Sequence, residues 1–354
     1  MTFRYIGSKA RLVDRLRDHI GPWDGGTFYD AFCGTGAVAE LASSLGWPVL
    51  INDHLLSSVT MAAARLSSSE SAKFSRLGGY ANAIFLLNSA TPIEGFIWRE
   101  YSPASAQYCG IERRYFTEEN ASRIDAARQL IFAWKRDDLL SCSEERLLVA
   151  DLLGAVNRCA NIAGTYGCFL AKWTAQSATP LTLQTRPLKS SSPRVNIRVG
   201  DVFDLAPTER DVVYLDPPYT KRQYAAYYHL LETVAIGDEP MVEGVTGLRP
   251  WKDRASVFCY KVKALKALVR LIEGMSAKRV LLSYSSEGHV DIDDLAPELA
   301  SLGQVEVTAL RDIGRYRPNQ QASATASEVS EFLISVTKTR DTLSITRSRE
   351  EVAA

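Results

Sequence analysis

No charge of either sign is in excess along this chain. Its 354 residues carry 41 Lys plus Arg against 41 Asp plus Glu, a formal net charge of zero. Such a balance does not announce a nucleic-acid partner, which usually draws on a basic excess, although a neutral total can still hold a basic face. Cysteine is sparse. The six, at positions 33, 109, 142, 159, 168 and 259, form no C-x-x-C pair and share no metal-ligand spacing with the four histidines. That argues against a zinc site or a disulfide framework and for free, buried thiols in a reducing compartment. No apolar run reaches membrane-spanning length, and the start, Met1 to Lys9, has no apolar signal segment, so a cytoplasmic protein without a membrane partner is expected. No internal repeat is evident. Against these absences stands a hydrophobic content of 46%, enough for a substantial core.

What is present centres on Val212-Val213-Tyr214-Leu215-Asp216-Pro217-Pro218-Tyr219. The first four residues read as a buried strand, too short and too β-branched for a helix. The prolines stop it, because each lacks an N–H and fixes φ. The result is a rigid corner at the carboxyl end of a strand, where open α/β sheets place ligands. Asp216 and the Pro217 carbonyl supply two acceptors, and Tyr219 supplies a flat face. That set suits a planar base carrying an exocyclic amine.

A second ligand-binding pattern lies upstream. Thr27 to Gly36, with Asp30, Phe32, Gly34 and Gly36, reads as strand then glycine turn, and Ala37 to Ala42 as a helix. Val49-Leu50-Ile51-Asn52-Asp53 is a second strand ending in a carboxylate, placed to bind ribose hydroxyls. Gly34-x-Gly36-x-x-Ala39 also fits a nicotinamide-dinucleotide fingerprint, so this loop alone does not separate an NAD-dependent oxidoreductase from a methyl-transfer enzyme.

Asp-Pro-Pro-Tyr, with Thr220-Lys221-Arg222-Gln223-Tyr224 and Tyr228-His229-Leu230-Leu231-Glu232, resembles the Dam-like, D12-type (α group) adenine-specific N6 DNA methyltransferases. The resemblance runs to about residue 338, with opening motif, glycine loop, insert and Asp-Pro-Pro-Tyr in the α-group order. It implies a Rossmann-like class I methyltransferase fold, S-adenosylmethionine as methyl donor and catalysis by Asp216, Pro217, Pro218 and Tyr219. Arg4-Tyr5-Ile6-Gly7-Ser8-Lys9 matches the family's opening motif, which makes Tyr5 and Lys9 cofactor contacts. Asp30, Phe32, Gly34, Gly36, Asp53, Asp201 and Asp216 complete the implied cofactor set. Double-stranded DNA is the implied substrate, with a cognate restriction endonuclease as a further partner and a monomer or weak dimer as the assembly. RNA adenine or DNA cytosine N4 methylation stays open within that class, and a non-catalytic DNA-binding module outside it.

Seven candidate strands imply one mostly parallel, doubly wound sheet interrupted by an insert. The catalytic domain is expected at 1–65 and 196–338, a mostly helical target-recognition insert at 66–195 and a polar tail at 339–354. By count the insert holds 15 Lys/Arg against 12 Asp/Glu, mildly basic at most. Thr117-Glu118-Glu119-Asn120 reads as a helix start with acids in its first turn. Tyr115, Phe116 and Trp134 read as core. Tyr166, flanked by Gly164 and Gly167, reads equally as a ring offered to DNA or as a packed turn. Arg222, Tyr224 and Arg315 complete the expected DNA contacts.

Overall fold

The computed structural model describes Lys9, residues 12–310 and residues 330–338. Its seven strands are β1 (Phe28–Asp30), β2 (Val49–Asp53), β3 (Val195–Val199), β4 (Val212–Leu215), β5 (Arg279–Ser285), β6 (Gly303–Leu310) and β7 (Glu331–Lys338). They form one sheet in the order β3-β2-β1-β4-β5-β7-β6. Pairing is parallel from β3 through β5, and β7 runs antiparallel to both β5 and β6. This is the expected Rossmann-like sheet. Every residue of β4 is buried, as a central parallel strand covered on both faces requires. The edge strand β3 leaves Ile197 and Val199 partly exposed.

The chain divides into two compact units. Among the described residues, one comprises Lys9, 12–54, 194–223, 255–310 and 330–338, the other 55–193 and 224–254. The first holds the sheet, with a core that includes Val213, Leu215, Leu268, Leu282 and Ile334. The second is helical, and its core includes Ile124, Leu148, Leu152, Leu230 and Leu231. The helical unit thus takes in more than the 66–195 stretch, because Leu56–Arg65 and His229–Ile236 pack with its helices. Among the described residues no helix is long and apolar enough to cross a membrane.

Local chemistry starts the two long helices of that unit. Thr117 accepts from the Asn120 N–H at 3.2 Å before Glu118–Arg136, with Glu118 and Glu119 in the first turn. Ser141 and Glu144 form a reciprocal capping box before Cys142–Cys159. Tyr115, Phe116 and Trp134 are buried, as core residues should be. The cysteines depart from expectation. Cys33, Cys159 and Cys259 are buried, but Cys109, Cys142 and Cys168 are exposed, since each falls outside an inward-facing position.

The helix Leu56–Arg65 has no cap of its own. Glu232, from the helix His229–Ile236, reaches across and accepts from the Leu56 and Ser57 N–H groups at 2.9 Å and from Ser57 Oγ at 2.7 Å. Arg254 Nη1 donates to the same carboxylate at 2.5 Å. Anionic oxygens satisfy N–H groups that the first turn of a helix leaves open. Glu232 is therefore a brace of the helical unit. Glu232→Ala is expected to lower stability by about 2–3 kcal/mol, since it leaves the Leu56 and Ser57 donors of the helix unsatisfied. Arg254→Ala, removing a half-exposed partner, is expected to cost about 1 kcal/mol. Thermal unfolding of the two variants measures the difference.

Candidate active site

The order of the sheet reverses between β1 and β4, so the loops leaving these strands flank a topological switch point. The loop after β1 is the glycine turn. Gly34 and Gly36 have φ of 49° and 78°, values at which a Cβ is strained. Gly36 N–H donates to the Cys33 carbonyl at 2.7 Å and Cys33 N–H to the Asn52 carbonyl at 2.9 Å, tying the turn to β2. Asp53, ending β2, accepts from the Gly34 N–H at 3.1 Å. Asn52 is buried and donates to the Ala31 and Gly200 carbonyls at 3.1 and 3.2 Å. Its Oδ1 has no hydrogen-bond partner among the described residues. Phe32 meets Phe258 edge-on at 5.7 Å, and Phe258 stacks on the partly exposed Phe203 at 5.8 Å. Asp201 is exposed and caps the short turn at Val202, accepting from Phe203 N–H at 3.0 Å.

These residues fit a nucleoside cofactor. A carboxylate beside a glycine turn, an orphaned buried acceptor and a cluster of rings match hydroxyl donors and a purine. Asp30 stands differently from the others. It is buried, and its Oδ2 accepts from the Ala39 N–H at 3.0 Å, so it braces the first turn of the helix Ala37–Ser44 from beneath. Burial above all, aided by the charges of Asp216 and Asp53, pushes its pKa up to about 8.

The loop after β4 carries the second half of the site. Asp216 Oδ1 accepts from the Lys9 ammonium at 2.8 Å. The same ammonium donates to Glu331 Oε1 at 2.8 Å. Ser283 Oγ on β5 donates to that Glu331 oxygen at 2.9 Å. Burial raises the Asp216 pKa, Lys9 pulls it back and Glu331 pushes it up, leaving it at about 6. Lys9, held by two carboxylates, stays protonated, its pKa raised well above the ordinary value despite burial. The Tyr219 ring lies with its centroid 5.8 Å from Lys9 Nζ and meets Tyr284 edge-on at 6.0 Å. Its carbonyl accepts from His289 N–H at 2.8 Å, which fixes the backbone of the corner. Two anchored sides and a partly exposed ring leave a surface on which a flat group can stack.

The structure sorts the remaining expectations. Tyr166 is fully buried, stacked on Tyr115, and its hydroxyl accepts from Asn157 at 3.3 Å. The ring between the two glycines is packed inside the turn. Tyr224 is half-buried against the helical core and tilted on Tyr228. Arg222 is exposed. Tyr5 and Arg315 lie outside the described residues. Glu331 and Asn52 stand at the site but are not singled out by the sequence. Glu331 had one usable signal: in β7 it shares the inward phase of Leu333, where a carboxylate needs a partner.

A family model described as D12 class N6 adenine-specific DNA methyltransferase matches residues 5–296. Type II methyltransferase M.FokI of Planomicrobium okeanokoites is 35% identical over 350 residues, 95% of this chain and 52% of that protein. Modification methylase StsI of Streptococcus sanguinis is 32% identical over 340 residues, 93% of this chain and 51% of that protein. Type II methyltransferase M.NlaIII of Neisseria lactamica is 30% identical over 309 residues, 86% of this chain and 89% of that protein. The chain spans about half the length of the first two relatives and nearly all of the third.

The Asp30 geometry makes a prediction about stability. A carboxyl whose pKa is raised from 3.8 to about 8 binds its proton more tightly folded than unfolded. Its contribution is present at low pH and is lost as pH rises between these two values, at up to about 1.4 kcal/mol per pH unit. Asp30→Asn keeps an acceptor for Ala39 and carries no charge. Its melting temperature should decline less than the parent's between pH 5 and 8, by thermal scans of both proteins.

Proposed function

The chain belongs to the D12 class N6 adenine-specific DNA methyltransferase family, and we propose that it transfers a methyl group from S-adenosylmethionine to N6 of an adenine extruded from DNA. The observation that carries this reading is the corner after β4, where a largely buried carboxylate and a partly exposed tyrosine stand side by side at the switch point. Asp53 and the Gly34–Gly36 turn would hold the cofactor's ribose and backbone, with Asn52 Oδ1 as a further acceptor. When bound, the cofactor supplies a methyl already activated on a sulfonium.

The chain's own residues do the rest. The adenine amine is a poor nucleophile because its lone pair is delocalised into the ring. Asp216 and the Pro217 carbonyl accept its two hydrogens, which holds the lone pair on nitrogen and aims it. Once it has received the methyl, the nitrogen would carry a positive charge beside the Asp216 carboxylate. The nitrogen then sheds one proton, which Asp216 takes and passes to water. Positioning and fixed charge carry the rate, with no covalent enzyme intermediate. Tyr219 stacks on the extruded base and offsets the loss of stacking in the duplex. Residues of the helical unit choose the sequence. Two of the relatives are named type II methyltransferases and one a modification methylase, which supports a restriction–modification setting with a cognate endonuclease.

Mass spectrometry of nucleosides from DNA treated with the protein and isotopically labelled cofactor tests the reaction. Label in N6-methyl-2′-deoxyadenosine is expected; label in N4-methyl-2′-deoxycytidine, or only when RNA is offered, overturns the assignment. The Asp216→Ala protein should lose transfer while retaining most of its affinity for DNA, since phosphate contacts supply non-specific binding. For Tyr219, stacking worth about 1–3 kcal/mol per base implies that Tyr219→Ala loses roughly one to two orders of magnitude in rate, whereas Tyr219→Phe retains most of it. A duplex with 2-aminopurine at the target position reports extrusion independently. If the alanine protein matches the parent in both fluorescence and single-turnover rate, the ring does not stack.

A further inference from the structure

Glu331 is the first residue of β7, paired across the antiparallel ladder with Ser285 of β5. At 7% exposure it is an inward-facing carboxylate at the end of a strand. Two donors are aimed at its Oε1: Lys9 Nζ at 2.8 Å and Ser283 Oγ at 2.9 Å. The Lys9 ammonium also reaches Asp216 Oδ1 at 2.8 Å. Two carboxylates thus share one buried cation. Stability does not call for such a trio, since burying three charges usually gains less than apolar packing of the same volume.

The arrangement has a clear consequence for Asp216. A carboxylate offers two oxygens, and Oδ1 is engaged by Lys9. An incoming amine is thereby directed to Oδ2. The Lys9 side chain is long and flexible, and a single ion pair leaves its ammonium free to swing about Asp216. A second anchor on a different strand removes that freedom. Ser283, on the neighbouring β5, holds the anchor in turn.

On the proposed reaction, we infer that Glu331 is a positioning residue, which pins the Lys9 ammonium on Asp216 Oδ1 and so presents Oδ2 to the adenine amine. Glu331 touches neither substrate nor cofactor and acts only through Lys9. Its charge has a second effect, opposite in sign to that of Lys9. Lys9 favours the ionised form of Asp216 and Glu331 disfavours it. The carboxylate is therefore more basic than one paired with lysine alone, which suits the group that receives the proton shed by nitrogen.

Two variants separate positioning from packing. Glu331→Gln keeps the shape and removes the charge; Glu331→Asp keeps the charge and shortens the reach. Single-turnover rates on duplex DNA are measured from pH 5 to 9, with KM for cofactor and for DNA. For Glu331→Gln a loss in kcat of about a hundredfold is expected, the scale of a displaced catalytic group, with both KM values little changed. Its acid limb, which for the parent falls near the Asp216 value of about 6, should move to lower pH. Glu331→Asp should leave the limb in place and recover part of kcat. A readout that needs no turnover runs alongside: acylation of Lys9 by a small amine reagent, followed by peptide mass spectrometry. Lys9 should be protected in the parent and in Glu331→Asp, and labelled faster in Glu331→Gln. An unmoved acid limb together with unchanged Lys9 labelling, in folded protein, overturns the inference. A raised KM at constant kcat also overturns it, because Glu331 would then hold a ligand directly. Failure of the parent to methylate DNA would sink the proposed reaction instead, while the labelling still reports whether Glu331 pins Lys9.

Discussion

Asp216 stands at the end of a wholly buried strand, where an isolated carboxylate would simply take up a proton. A neutral carboxylic acid would accept poorly from an amine. The Lys9 ammonium at 2.8 Å keeps the group within reach of ionisation near neutral pH. That contact dictates much around it. Lys9 must be brought from near the beginning of the chain, β7 must supply a counter-charge, and β5 must supply the hydroxyl that steadies it. The antiparallel insertion of β7 beside β5 places Glu331 where this is satisfied. The topology of the sheet and the chemistry of the corner are thus one problem solved together.

Much of this was legible because strands next to a switch point are short, β-branched and punctuated. Val212 to Leu215 followed by two prolines can hardly be anything but a buried strand that stops. The glycine turn announced itself through Gly34 and Gly36, both at positive φ. Other features were illegible because they are made by contacts between distant segments. Glu232 looked like part of a motif beside the Asp-Pro-Pro-Tyr corner. It is a cap supplied to a helix 175 residues earlier in the chain. Sequence reading weighs neighbours, and a cap offered from such a distance leaves no local trace. For the same reason the helical unit reclaims residues 55–65 and 224–254, which alternation alone assigns elsewhere.

Tyr166 shows the converse limit. Two flanking glycines are compatible with a presented ring and with a packed one, and local sequence carries no information to choose. The choice is made by Tyr115, Asn157 and the Tyr227 carbonyl, which together bury the ring and bond its hydroxyl and backbone. Lys9 was ambiguous in another way. The resemblance made it a cofactor contact, whereas its ammonium is found on two carboxylates. An ammonium has three hydrogens, so the two bonds do not exhaust it.

The zero net charge of the chain bears on how a DNA partner would be engaged. Among the described residues the buried acids are Asp30, Asp125, Glu144, Asp151, Asp211, Glu232 and Glu331, and the buried bases are Lys9, Arg113, Arg128 and Lys338. Seven acids against four bases are thus withdrawn from contact with any partner. The described residues hold 36 acids and 33 bases, so 29 of each remain outside the buried set. Burial raises Asp30, Asp125 and Asp151 above the ordinary carboxylate pKa, which weakens their opposition further. A balance this even gives little long-range attraction, and what there is would be screened within about 8–10 Å at physiological salt. Recognition by such a chain depends on contacts at close range, which places the demand on shape, on hydrogen bonds to base edges and on a flat ring at the Asp-Pro-Pro-Tyr corner.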